Sequence, residues 1–348
     1  MSKYSPEYSV RAHKKPLNIK AIYKAIRNRE ILDNKVIGCT NDKTLKLILG
    51  NNIQGLIPSD ELEYDITGSR DDRPNLAVSK VGKTVKYIPM SVEKQEDGSY
   101  IVKCSRKEAQ KECYNKYISR LLPGDIIDAN IIRTVKYGAF CDIGCGVIAL
   151  LPTNYLSVTH ILDIDEALKG MTRIRAVVHS IDEYGRVKLT HRELLGTWEE
   201  EASKFQIGDI VQGTALSVES YGIFVRLSQN LSGLADKPNF DITAGDLISC
   251  KISSIKEDSM KIKLIVLNKI EYEEDKEGTI HEEFLDSFNY YIKGGHINEW
   301  VYSTKDAPKL IKTEFRTNKV YAGATETAQE TSEEVQDNTK VENTTENN

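Results

Sequence analysis

The tripeptide Gly124-Asp125-Ile126 recurs 84 residues later as Gly208-Asp209-Ile210, and at the same offset Tyr137-Gly138-Ala139-Phe140 recurs as Tyr221-Gly222-Ile223-Phe224. Six of the 17 positions from 124 to 140 are identical in the later copy, without a gap. One shared tripeptide arises by chance; two in register mark a repeated supersecondary unit, which restricts the chain to a few architectures.

Each copy reads as short β-rich runs between turn formers. In the earlier one, Ile126 to Val135 is followed by the Tyr-Gly-x-Phe element and by Cys141 to Leu151. Arg173 to Ile181 and Arg186 to Thr190 then flank Asp182-Glu183-Tyr184-Gly185, the pattern of a hairpin. The later copy ends in the same way, with Leu247 to Ile255 and Lys261 to Leu267 around residues 256–260. Five short strands in roughly 70 residues predict a small closed barrel rather than a sandwich. A fainter copy lies upstream: Leu45 to Gly50 parallels Ala139 to Gly144, Gly55 to Pro58 parallels the Leu150-Leu151-Pro152 region, and residues 67–75 form an irregular insertion. Helices are expected only outside the barrels, over Leu17 to Leu32, Lys107 to Leu121 and Glu193 to Phe205.

A net charge of −5 argues at first against a polyanionic partner. Its distribution matters more than its sum. Residues 1–30 hold eight Lys or Arg against two Glu, whereas residues 323–348 hold seven acids against Lys340 alone. That tail is rich in Thr, Glu, Gln and Asn, and is expected to be disordered. The basic N-terminal helix is either a solvated face or a contact for a polyanionic partner. No run approaches the roughly 18 apolar residues of a membrane span, and Met1 to Pro16 lacks the apolar stretch of a secretory signal, so the expected location is the cytoplasm. The six cysteines show no disulfide framework and read as buried thiols.

In order and in recurrence, the Gly-Asp-Ile strand start, Tyr-Gly-x-Phe, the Gly-Leu-x-Pro-like element and the Asp-x-x-Gly-Arg hairpin resemble the S1 RNA-binding domain. The run His191 to Glu200 also resembles short S1-like proteins of Gram-positive bacteria. The resemblance implies an all-β chain of tandem five-stranded OB-fold barrels joined by short helices. Its expected parts are a basic segment with a helix (1–30), a degenerate S1-like barrel (31–107) and two S1 barrels (121–195 and 206–268). An extension of unknown fold (269–322) and the acidic tail (323–348) follow. Carried over residue by residue, the RNA-facing positions are Tyr137, Phe140, Asp182 and Arg186 in the second copy and Tyr221, Phe224 and Lys261 in the third. In the first copy Lys43 and Lys46 stand where the aromatic pair belongs, so that barrel is expected to touch phosphate without stacking bases. The implied function is binding of single-stranded mRNA to assist translation on the small ribosomal subunit. An alternative is a protein that docks on a ribosome or a nuclease, with RNA contact secondary.

The residue types support that reading independently. Single-stranded RNA offers flat bases and a charged backbone, so its reader needs exposed rings beside Lys or Arg. Residues three apart on a regular strand face opposite ways, and Gly138 is expected to provide a bend that brings Tyr137 and Phe140 to one surface. An aromatic in a strand is ordinarily core; its recurrence in a glycine-bearing element points to contact with RNA. Enzyme motifs fail in detail. Gly82-Lys83-Thr84 lacks the earlier glycine of a phosphate loop, Ala77 standing in its place, and His281-Glu282 meets Leu285 where a zinc motif requires histidine. His160, His179 and His191 have no catalytic partner pattern and read as surface or strand residues. No cofactor or metal is expected, and oligomeric state is not legible.

Overall fold

The computed structural model describes residues 3–7, 16–65, 75–270 and 288–316. The acidic tail and most of the insertion after residue 66 lie outside the described residues. Three closed five-stranded barrels follow one another. The first comprises β1 (Leu32–Cys39), β2 (Leu45–Gly50), β3 (Ile53–Ile57), β4 (Thr84–Lys94) and β5 (Tyr100–Ser105), in the closed order β1-β2-β3-β5-β4. The second comprises β6 (Ile126–Val135), β7 (Gly138–Gly144), β8 (Val147–Pro152), β9 (Arg173–Ile181) and β10 (Val187–Thr190). The third comprises β11 (Ile210–Glu219), β12 (Gly222–Arg226), β13 (Ser232–Asp236), β14 (Leu247–Lys256) and β15 (Lys261–Lys269). In each, the third and fifth strands pair in parallel, which closes the cylinder and leaves no sheet edge.

Strand alternation fills each interior. Ala139, Cys141, Ile143, Ala149 and Leu151 point inward in the second barrel, and Ile223, Val225, Ala235, Ile248 and Leu264 do so in the third. Leu45, Leu47, Leu49, Val85 and Val102 fill the first. All six cysteines are free thiols, five of them buried.

The helices are shorter than the sequence pattern predicts. The first, α1 (Ile19–Asn28), starts where Asn18 accepts a hydrogen bond from the Ala21 N–H and stops at Arg29, whose φ of 48° is left-handed; Leu32 already belongs to β1. Two helices lie within barrels, contrary to expectation: α2 (Leu76–Lys80) and α4 (Ile164–Ala167), each between the third and fourth strands. Ile164 of the latter and Leu168, which caps it, are buried against the barrel core, a contact that four residues are too few to announce by periodicity. The link α3 (Arg106–Lys116) joins the first two barrels. The expected helix from Glu193 to Phe205 is broken at Gly196, φ 90°, and resumes as α5 (Trp198–Ala202), with Thr197 and Glu200 forming a reciprocal capping box. No helix among the described residues is long and apolar enough to cross a membrane.

Residues 288–316 clamp the last two barrels. Strands β16 (Glu299–Val301) and β17 (Lys312–Glu314) form a hairpin, from which Trp300, Tyr302 and Phe315 enter the third barrel's apolar cluster. His296 meanwhile pairs with Asp125 of the second. The same segment corrects the reading of His191 as a surface or strand residue. Its ring is fully buried, donates from Nδ1 to the Leu156 carbonyl at 2.9 Å and packs edge-on against Phe288 at 4.2 Å. His179 is also partly covered, stacked on Tyr155 at 4.5 Å.

Burial lowers His191 to about 4, so the folded protein resists a proton that the unfolded chain accepts near its ordinary 6.5. Stability should therefore fall as the pH drops from about 6.5 to about 4, by up to roughly 3 kcal/mol from this group. Melting temperatures of the wild type and His191→Asn at pH 7 and 4.5 check this; equal losses in both would refute it.

Candidate nucleic-acid interface

The Tyr-Gly-x-Phe elements sit at hairpin turns. Val135 pairs with Gly138, leaving Lys136 and Tyr137 as a two-residue loop. Tyr137 thus precedes β7 and is exempt from strand alternation, while Phe140 projects from the strand's outer face. The expected glycine bend is not what unites them. A Cβ on Gly138 would lie 2.5 Å from the Leu151 carbonyl oxygen, and one on Gly222 2.6 Å from that of Ala235, so glycine serves close approach of the neighbouring strand. Tyr137 is 61% exposed and meets the partly covered Phe140 edge-on at 6.3 Å and 84°; Tyr221, 65% exposed, meets Phe224 at 6.2 Å and 90°. The repeated sequence builds the same two-ring surface twice.

Register extends each pair into a row across the barrel that sequence reading missed. Phe140 stands opposite Leu150, and Leu150 opposite Lys188. Phe224 stands opposite Leu234, and Leu234 opposite Lys263. In the first barrel the row runs Lys46, Leu56, Lys103. An aliphatic residue and then an exposed lysine follow in line in all three, with a ring at the head of two rows and Lys46 at the head of the other. Leu150 and Leu234 keep the 84-residue offset and were within reach of the repeat. Lys188 and Lys263 break it, because the preceding connections differ in length. Lys188 has no ion pair among the described residues, whereas Lys103 and Lys263 share surface pairs with Glu93 at 2.6 Å and Asp236 at 3.3 Å, which hold such side chains weakly. Arg133 adds a cation to the second row, its guanidinium 4.4 Å from the centre of Phe140; Ser217 replaces it in the third barrel.

The remaining expected residues lie at strand-end turns. Asp182 accepts from the backbone N–H groups of Tyr184 and Arg186 and from Arg186 Nε at 2.6 Å, so it shapes the turn and holds the arginine. Burial opposes charge on Asp182, but these donors prevail and keep its carboxyl below the usual range. Arg186 remains exposed, beside the Tyr184 ring at 5.2 Å, and Lys188 rather than Arg186 lines up with Phe140. In the third barrel Lys256 and Lys261 face each other directly; two like charges in register repel, and a polyanion relieves that repulsion. Lys43 sits exposed at the β1–β2 turn with a left-handed φ of 63°. Among the described residues no cluster of His, Cys, Asp or Glu is placed to hold a metal ion.

Comparison with known proteins relates part of this chain to a known family. Residues 121–192 match the S1 RNA binding domain family. The small ribosomal subunit protein bS1 of Staphylococcus epidermidis is 29% identical over 161 residues, covering 43% of this chain and 41% of that protein. The bS1 homolog of Bacillus subtilis is 24% identical over 233 residues, covering 63% of this chain and 58% of its own. The chain thus spans about half the length of the curated relatives it matches. Among solved structures, a multidomain protein with nucleic acid binding domains from Streptococcus pneumoniae aligns with 69% of this chain and 74% of its own, at 13% identity and a TM-score of 0.22. The second of its three OB-like barrels is thus an S1 RNA binding domain by family match, the third repeats that barrel's motif, and bS1 proteins are among the chain's relatives.

Proposed function

We propose that this protein binds single-stranded RNA with little sequence preference and brings mRNA to the small ribosomal subunit in the cytoplasm, with no catalytic step of its own. The observation that carries the reading is the doubled row: an exposed tyrosine edge-on to a phenylalanine, followed in register by leucine and lysine, on two successive barrels. Rings supply sequence-tolerant stacking, and the lysines lie where a strand laid across the rings carries its phosphates. The first barrel, with Lys43 and Lys46 in place of the rings, contributes charge. Linkage in one chain raises avidity through effective concentration. The ribosomal destination rests on the relatives, which are named as small-subunit proteins.

Titration of the purified protein with unstructured RNA tests the proposal. Log K should fall linearly with log salt, by about 0.7 per contacted phosphate, and Lys188→Ala and Lys263→Ala should each flatten that slope by about 0.7. A salt-independent affinity would remove the phosphate part of the mechanism, and sedimentation with ribosomes that survives loss of all RNA affinity would favour docking instead.

A further inference from the structure

One position beyond the head of each row separates the barrels sharply. Two residues past Lys46, Phe140 and Phe224, on the same outer face, stand Ile48, Asp142 and Arg226. At the joint between the first and second barrels this position is plugged. The Asp142 carboxylate accepts from the Glu7 N–H at 2.7 Å, and residues 3–7 lie in the groove. At the joint between the second and third barrels it is open. Arg226 lines a cleft of about 390 Å³ between the third barrel's outer face, with Gln212 and Thr214, and the second barrel's α4 region, with Glu166 and Lys169.

The guanidinium is half-buried, which opposes its charge, yet it makes no hydrogen bond or ion pair among the described residues. Glu166, exposed on the opposite wall, is the carboxylate that acts on it, without pairing. Glu201, also in the wall, is engaged by Lys204 at 2.6 Å and by Ser228. A partly desolvated arginine with its donors free, beside hydroxyl and amide groups, matches a phosphate, whose oxygens accept bidentate hydrogen bonds.

We infer that the cleft between the second and third barrels is a phosphate-binding seat, with Arg226 as its anchor, for the phosphate of a nucleotide. Its place on the face of Phe224 makes it the continuation of the third barrel's row, so an RNA strand stacked on that ring passes a phosphate into the cleft. A free nucleotide offers the same group. The strand form rests on the RNA-binding reading above; the seat itself does not.

Calorimetric titration of the full chain with decauridylate and, separately, with adenosine monophosphate tests it, using wild type, Arg226→Ala and Glu166→Gln. Arg226→Ala should weaken the oligonucleotide about tenfold and reduce its salt slope by about 0.7, with an unchanged melting temperature. Glu166→Gln should strengthen binding, which a purely structural role for Arg226 does not predict. Binding of the monophosphate that is lost in Arg226→Ala identifies a free nucleotide as an occupant; an Arg226 effect confined to the oligonucleotide identifies the strand. Wild-type affinity for decauridylate with no response to either substitution, and no monophosphate binding, overturns the seat while leaving RNA binding intact. Should decauridylate fail to bind at all while the monophosphate binds through Arg226, the RNA reading falls and the seat stands. If neither ligand binds, both fall.

Discussion

Arg106→Ala is expected to destabilise the joint between the first and second barrels by about 3–5 kcal/mol, the usual consequence of leaving one member of a buried ion pair without its partner. Arg106 is 1% exposed and Glu7 is likewise buried; the guanidinium meets both carboxylate oxygens, at 2.7 and 3.0 Å, and donates its third hydrogen bond to the Leu62 carbonyl at 2.7 Å. Burial pushes the Glu7 carboxyl up, but Arg106 and Lys80 outweigh it and hold the group below its ordinary value. The same carboxylate accepts from the Lys86 N–H, and the Glu7 N–H donates to Asp142 of β7. One acidic residue from the N-terminal segment therefore ties α3 and β4 to the second barrel. Removing the arginine leaves that buried charge to Lys80, whose Nζ lies 3.8 Å away, and takes away its two guanidinium hydrogen bonds. The double variant Glu7→Gln/Arg106→Met should recover much of the loss, because it removes both charges together. Urea melts of the three proteins decide the matter, and a loss under about 1 kcal/mol for Arg106→Ala would show that the pair is not a structural tie.

Phe140→Ala and Phe224→Ala should each weaken binding of unstructured RNA about tenfold or more, since stacking of a base on a ring contributes roughly 1–3 kcal/mol. Truncation of a core aromatic would instead cost about 3–5 kcal/mol of stability. Both rings sit on the outer faces of their barrels, edge-on to an exposed tyrosine, so melting temperatures should change little. Phe140 carries Arg133 over its ring, and its loss should also loosen that cation and lower the salt slope more than loss of Phe224 does. Lys46→Ala, at the same position of the first barrel, should change the slope and leave stacking untouched. Aromatic variants that stay folded and bind RNA as the wild type does would sink the site assignment, whatever the family resemblance.

What was legible in the sequence was written between near neighbours. The two copies of Gly-Asp-Ile and Tyr-Gly-x-Phe, the alternating runs and the hairpin turns are local signals, and they specified barrels, their order and the two aromatic pairs. The equivalence of Lys46 with Phe140 also followed from aligning Leu45 to Gly50 with Ala139 to Gly144, and the strand register places both at the head of their rows. Tertiary structure decided the rest. The lysine that ends each row comes from the parallel closure of the third strand onto the fifth, a register set by how the cylinder shuts and by connections of unequal length. Glu7 meets Arg106 across 99 residues and Asp142 across 135, too far for any spacing to announce. His191 looked like a surface or strand residue until residues 288–316 folded over it. Periodicity records which face of an element is apolar; which distant segment covers that face, and which charge is thereby taken out of water, is settled only when the elements pack.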